Sequence, residues 1–325
     1  FGDYNEDYGK FVMFISESGE NTNKIELDNI YFDSIPAWLE PRKVWADSVG
    51  ADAAIIKWEQ MAAGADSYEF RFADKIADLE SAEAQALTAD SVRISGLGML
   101  KTYYMQVRAK YGENYSAWSN WRKFTTECPA ARPIPYSENF DNGGSVSASA
   151  SSKNPPECWG AFGSDGTEGA NCYSPAVYNS AKKDGVGGLC LRGTKTNAFY
   201  AVLPRLDANL SNAILAFDYK HQSTSYADSL WIGVAANAEN LESLLNTVVW
   251  VDSILGKPTA TTWNEYKRKL TEAVNGEQYV VFKSKVNYSS NSTSYGFYID
   301  NMSVEPDATC KKPEAPVVVA RELNG

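Results

Sequence analysis

A strand–loop–strand unit occurs twice in this chain and fixes how it is organised. Residues 11–32 read Phe11-Val12-Met13-Phe14-Ile15, a polar loop, then Ile25-Glu26-Leu27-Asp28-Asn29-Ile30-Tyr31-Phe32. Residues 279–304 read Tyr279-Val280-Val281-Phe282, a polar loop, then Phe297-Tyr298-Ile299-Asp300-Asn301-Met302-Ser303-Val304. Asp28 and Asp300 stand 272 positions apart, as do Pro41 and Pro313, which follow the two units. Similarity at a fixed spacing marks an array of like units. The 325 residues therefore read as one period of a longer array. Residues 1–36 are expected to be the closing strands of one unit, and 307–325 the opening strand of another.

Between these ends the chain reads as all-β. Residues 37–126 alternate apolar and polar positions in short runs: Ala54-Ile55-Ile56-Lys57-Trp58, Tyr68-Glu69-Phe70-Arg71-Phe72, and Tyr103-Tyr104-Met105-Gln106-Val107-Arg108-Ala109. Gly50, Gly64, Asp66, Gly96, Gly98 and Gly112 punctuate them. Short strands at this spacing predict a β-sandwich. Residues 77–86 carry a weak helical pattern but read as a loop or one short turn. Residues 127–306 hold apolar, aromatic runs at 198–202, 213–219, 229–234, 247–251 and 279–282, joined by Gly, Ser, Asn and Asp. One helical turn fits 236–245. An all-β segment of this length suggests a two-sheet jelly roll.

Charge and histidine content narrow the function. Lys and Arg number 30 against 41 Asp and Glu, a formal charge of −11. That argues against nucleic acid, whose binding rests on clustered cations neutralising phosphates. No run approaches the roughly 20 apolar residues that span a bilayer, and Phe1-Gly2-Asp3-Tyr4 shows neither a basic nor an apolar leader region. His221 is the only histidine, which excludes sites built on two. With no GxSxG elbow, phosphate-binding loop or GxGxxG, nothing supplies His221 with an activated nucleophile. His221 is expected to be an exposed residue at a strand end, and the segment not to be an enzyme.

Residues 37–126 resemble the fibronectin type III family. Trp58 sits where that family has its core Trp on the second strand. Leu97 with Tyr103, Met105, Val107 and Ala109 is similar to its tyrosine-corner strand. Gly112, Ser116, Trp118-Ser119 and Phe124-Thr125 are similar to its closing strand. Leu100-Lys101 departs from the usual Pro-Gly.

Residues 127–306 resemble the cleaved-adhesin and MAM-like jelly-roll family. The motifs run in order: Pro135-Tyr136-Ser137-Glu138-Asn139-Phe140-Asp141, Cys158-Trp159, Asp165-Gly166, Leu203-Pro204-Arg205-Leu206 before Leu215-Ala216-Phe217-Asp218-Tyr219, Asp228-Ser229-Leu230-Trp231-Ile232-Gly233-Val234, Trp263-Asn264-Glu265-Tyr266, and Tyr298 to Val304. The resemblance implies a secreted or outer-membrane-associated bacterial surface protein of the Bacteroidetes type. There such domains alternate with fibronectin type III modules and include the non-catalytic adhesin regions of secreted proteases. The expected role is binding or adhesion to a host or matrix protein or glycan, beside neighbouring repeats of the same chain. A carbohydrate-binding accessory of a secreted hydrolase or protease and a structural spacer stay open as alternatives.

Three sets of residues are candidates for chemistry. Cys128, Cys158, Cys172 and Cys190 fall within 63 residues and read as two disulfides or as buried thiols. Cys128 directly precedes the jelly-roll opening and Cys158 directly precedes Trp159, so a 128–158 and a 172–190 pair are expected; Cys310 is left over. Jelly rolls of this family often hold a structural calcium between first and last strands, which implies Glu138, Asp141 and Asp300 as ligands. The alternative is that Asp300 accepts hydrogen bonds from loop amides. Trp231, Trp250 and Trp263 are candidates for stacking on a sugar ring, and core packing is the other reading.

Overall fold

The alternating runs of residues 37–126 form strands because each presents one apolar face. The computed structural model describes residues 38–59, 64–141, 154–222, 228–256, 262–286 and 296–308. The flanking pieces, with Asp28 and Cys310, lie outside these, apart from residues 307 and 308.

The first unit contains β1 (Val44–Val49), β2 (Ala53–Trp58), β3 (Ser67–Ala73), β4 (Gln85–Leu87), β5 (Ser91–Ser95), β6 (Thr102–Tyr111), β7 (Asn114–Tyr115) and β8 (Arg122–Thr125). One sheet runs β1–β2–β5, and the other β4–β3–β6–β7 with β8 also on β6. This is the two-sheet arrangement of a fibronectin type III sandwich. Ile56, Trp58, Phe70, Val92, Ile94, Met105 and Val107 fill the space between the sheets. Trp58 stacks on Phe70 with ring centres 6.5 Å apart and meets the edge of Tyr68 at 5.3 Å. The Tyr103 hydroxyl accepts the Gly98 N–H at 2.8 Å, closing the tyrosine corner. Residues 77–86 hold more order than a loop. A 3-10 helix (Ile76–Ser81) buries Leu79, and β4 follows. On the outer face, Arg71 lies 4.1 Å over Trp118, and Arg108 lies near both Trp118 and Tyr115.

The second unit contains β9 (Tyr136–Glu138), β10 (Gly160–Gly163), β11 (Ala176–Tyr178), β12 (Gly188–Arg192), β13 (Phe199–Val202), β14 (Ala213–His221), β15 (Asp228–Ala235), α1 (Leu241–Thr247), β16 (Val249–Leu255), β17 (Asn264–Lys269), β18 (Tyr279–Val286) and β19 (Gly296–Pro306). A five-stranded sheet runs β10–β13–β18–β15–β16. A six-stranded sheet runs β11–β12–β19–β14–β17, with β9 also on β19. Leu189, Leu191, Phe217, Leu230, Ile232, Phe282, Phe297 and Ile299 pack between them. The helix is longer than one turn and begins later than expected. Asn240 and Ser243 cap each other's backbone N–H groups at 2.9 and 3.1 Å, a capping box that fixes its start.

Cys128 and Cys158 are bridged, with Cα atoms 5.7 Å apart and 30 positions between them in sequence. The expected Cys172–Cys190 bridge is not formed. Cys190 lies on β12, opposite Ala176 and Tyr298, in a small outer cluster with Tyr178 and Ala181. Cys172 caps the 3-10 turn Gly169–Asn171, and its thiol donates to the Thr167 carbonyl at 3.0 Å. The two sulfurs thus belong to different local structures. Burial pushes the Cys190 thiol up to about 11, so it stays protonated and unreactive at neutral pH. Peptide mapping without reductant is expected to return a 128–158 cross-link and to find Cys172 and Cys190 alkylated only after denaturation. Reduction is expected to cost about 3.7 kcal/mol, the loop-closure value for a ring of this size, read as a lower melting temperature. A 172–190 cross-link would refute this assignment.

Candidate functional site

The closing strand β19 changes partner along its length. Its first half pairs with β12, where Ile299 faces Leu189. Its second half pairs with β9, where Met302 faces Glu138. Asp300 and Asn301 stand at the changeover. Asp300 is fully buried, and Asn301 adopts the left-handed φ of 49°, which Asn tolerates better than most residues.

The β11–β12 connection enters this gap. Asp300 accepts the N–H groups of Lys183 at 2.6 Å, Asp184 at 3.3 Å and Asn301 at 2.8 Å. Asp141 accepts those of Val186 at 2.5 Å and Gly187 at 3.1 Å. The Asn301 amide donates to Asp184 and Asp218 at 3.0 and 3.1 Å, and Lys183 pairs with Asp218 at 2.8 Å. Two carboxylates therefore hold one loop, residues 183–187, from both sides.

The three carboxylates expected to hold calcium are not assembled into a cage. Among the described residues, no three His, Cys, Asp or Glu side chains lie close enough to hold an ion. Glu138 instead accepts the Phe140 N–H at 2.8 Å within its own turn. Calcium takes six to eight oxygen ligands, whereas Asp141 and Asp300 are faced by backbone N–H donors. As placed, the set does not fit the ion. The loop amides supply the positive dipoles that the carboxylates need. They hold Asp141 below the usual carboxylate range. At Asp300 desolvation wins, and the group is raised despite three amides.

The three tryptophans do not share a platform. Trp263 packs at the outer side of the six-stranded sheet beside Tyr178 and Tyr298, with Lys220 at 5.3 Å. Trp231 and Trp250 lie on the outer side of the five-stranded sheet. Along β15, Leu230, Ile232 and Val234 point into the core, so period two turns Trp231 and Gly233 outward. Trp231 is 38% exposed. Gly233 faces Trp250 across the strands, and a Cβ there would come within 2.9 Å of the Trp250 ring. The missing side chain is what lets that indole lie over the sheet. The two indoles are 6.2 Å apart at 69°.

Lys283 completes the group. It faces Trp231 on one side and Tyr200 on the other. Its ammonium lies 5.2 Å from Trp250, 5.8 Å from Trp231 and 5.9 Å from Tyr200. Burial, and then the like charge of Lys285, holds this ammonium below the usual lysine range. Leu244 of α1 packs on the same face in one cluster with Phe162, Tyr200, Val202 and Val281, against which Trp250 also lies. Sequence reasoning found the tryptophans and missed Tyr200 and Lys283. The signal was there: in Val281-Phe282-Lys283, Phe282 is inward, so its neighbours face out with Trp231.

His221 is not exposed. It ends β14 with 1% of its surface accessible, and its Nε2 lies 2.8 Å from Asp228 Oδ2. The Phe297 ring packs edge-on at 4.9 Å. The imidazole thus sits inside the sandwich, not at its surface.

The sequence matches no family model and no curated protein. Two solved domains of the Lys-gingipain of Porphyromonas gingivalis are similar over 53% of this chain. The K1 cleaved-adhesin domain is 17% identical, with 98% of that domain covered and a TM-score of 0.35. The K2 cleaved-adhesin domain is 12% identical, with 99% covered and a TM-score of 0.39. The fibronectin type III domain of human contactin 1 is similar over 34% of this chain and 93% of its own length, at 18% identity and a TM-score of 0.26. No helix among the described residues is long and apolar enough to cross a membrane. The described residues are nearly all β, with the fold of a fibronectin type III sandwich followed by a two-sheet jelly roll.

Proposed function

We propose that this chain is a non-catalytic binding segment of a secreted or cell-surface bacterial protein, and that it engages glycan through the outer face of the five-stranded sheet. The observation that carries the reading is the exposed Trp231 ring set against Trp250 on the outer sheet face. Trp231 is 38% exposed there, Trp250 is half-buried, and the buried Tyr200 beneath them belongs to the cluster that Leu244 of α1 covers. Indole faces offer an apolar surface to the C–H side of a pyranose, and strands hold the rings without ordering cost on binding. The burial of the sole imidazole supports a binding role over a catalytic one. The sequence resemblance of residues 127–306 to adhesin domains supports the surface location.

The test is a glycan and matrix-protein array probed with the purified chain. Trp231→Ala is the informative variant because the ring is exposed and its loss leaves the core intact. A glycan signal that weakens about tenfold or more in this variant, at unchanged melting temperature, is the expected result. A signal that survives Trp231→Ala would overturn the reading.

A further inference from the structure

Resting on the glycan face just proposed, the geometry points to an acidic sugar as its ligand: a pyranose bearing a carboxylate, its ring on Trp231 and Trp250 and its carboxylate on Lys283. The aromatic group alone would suit any sugar. Lys283 makes it selective. Its ammonium stands among three rings at 5.2 to 5.9 Å, attracted to their faces, and it has no carboxylate partner among the described residues. Lys285, two positions along β18 and on the same side, has none either.

The two acids on the strands of this sheet are already engaged, and Glu242 stands in the first turn of α1, over the same face. Asp252 of β16 receives Tyr266 and Arg268, and Asp228 of β15 is bound to His221 in the core. The patch around Lys283 and Lys285 is therefore a locally cationic spot on an acidic molecule. A half-buried ammonium without a counter-charge loses hydration without an ion pair in return. A ligand carboxylate restores that interaction, and a charge-assisted hydrogen bond of this kind is about twice as strong as a neutral one. A cationic ligand would be repelled by the lysine that already occupies the rings. A neutral sugar would leave the ammonium as it was.

The experiment is calorimetric titration of the whole chain with two matched pairs. One is a hexasaccharide of alternating glucuronic acid and N-acetylglucosamine against its carboxyl-reduced form. The other is 3′-sialyllactose against lactose. In at least one pair the acidic member is expected to bind tenfold or more tighter than the neutral one, with the preference shrinking as salt rises. Lys283→Gln is expected to equalise that pair, Lys283→Arg to keep the preference, and Trp231→Ala to remove both members. Equal binding within both pairs, or a preference that survives Lys283→Gln, overturns the acidic-sugar proposal and leaves the glycan face standing where Trp231→Ala still abolishes binding. If no member of either pair binds, the acidic-sugar proposal and the glycan face both fail.

Discussion

Replacing His221 with alanine is expected to destabilise the second sandwich by roughly 3–5 kcal/mol, the cost of removing one partner of a buried acid–imidazole pair and orphaning the other. The pair is wholly enclosed: His221 is 1% and Asp228 0% exposed. The second carboxylate oxygen of Asp228 already lacks a hydrogen-bond partner. Removing the imidazole would leave the whole carboxylate in the core without compensation, beside the apolar ring of Phe297. The two units have separate cores, so thermal melting should move one transition and leave the other in place. Replacing both residues with apolar side chains of similar volume should recover most of the loss, because the penalty belongs to the orphaned group. A His221→Ala melting curve that overlays the parent would show that Asp228 finds water or another donor.

Trp58→Ala is expected to act on the other unit, by roughly 3–5 kcal/mol for a buried aromatic reduced to a methyl. Trp58 is 2% exposed and carries the stacking with Phe70 and Tyr68 on which both sheets converge. Its indole N–H has no hydrogen-bond partner among the described residues. Trp58→Phe therefore gives up volume but no hydrogen bond, and about a third of the loss should suffice for it. Calorimetry would read this as a lowered first-unit transition and an unmoved second one. Equal shifts in both transitions would mean that the two sandwiches unfold together.

These two sites also show what the sequence could convey. Strands β2, β3 and β6 are legible because one face is buried and one is wet; β6 alternates half-buried and buried positions for nine residues. Strands β10 and β11 are short, and three consecutive residues of each are buried. Burial on both faces erases the alternation by which a strand is read. The Trp58 environment follows from position on a strand. His221 and Asp228 are seven positions apart, yet only the pairing of β14 with β19 and of β15 with β18 decides that both face inward. The carboxylate cluster was half legible. Asp300 is buried at the strand break where a polar group demands partners, but the loop amides that satisfy it come from 116 and 117 positions away. The tryptophans were legible as residues and not as a site, since linear order does not say which sheet a strand joins.

The Cys128–Cys158 bridge has a mechanical consequence. Cys128 follows the last strand of the first sandwich by three residues, and Cys158 adjoins Trp159, which is anchored in the second core. Tension transmitted from one sandwich to the next passes through the sulfur–sulfur link and directly into that core. The chain between the two cysteines, including β9 and the Glu138 turn, carries no load. A chain pulled from both ends would keep β9 seated on β19 while the two sandwiches bore the force. Cleaving the bridge would release about 100 Å of extra contour, at roughly 3.3–3.6 Å per extended residue over the 30 positions spanned.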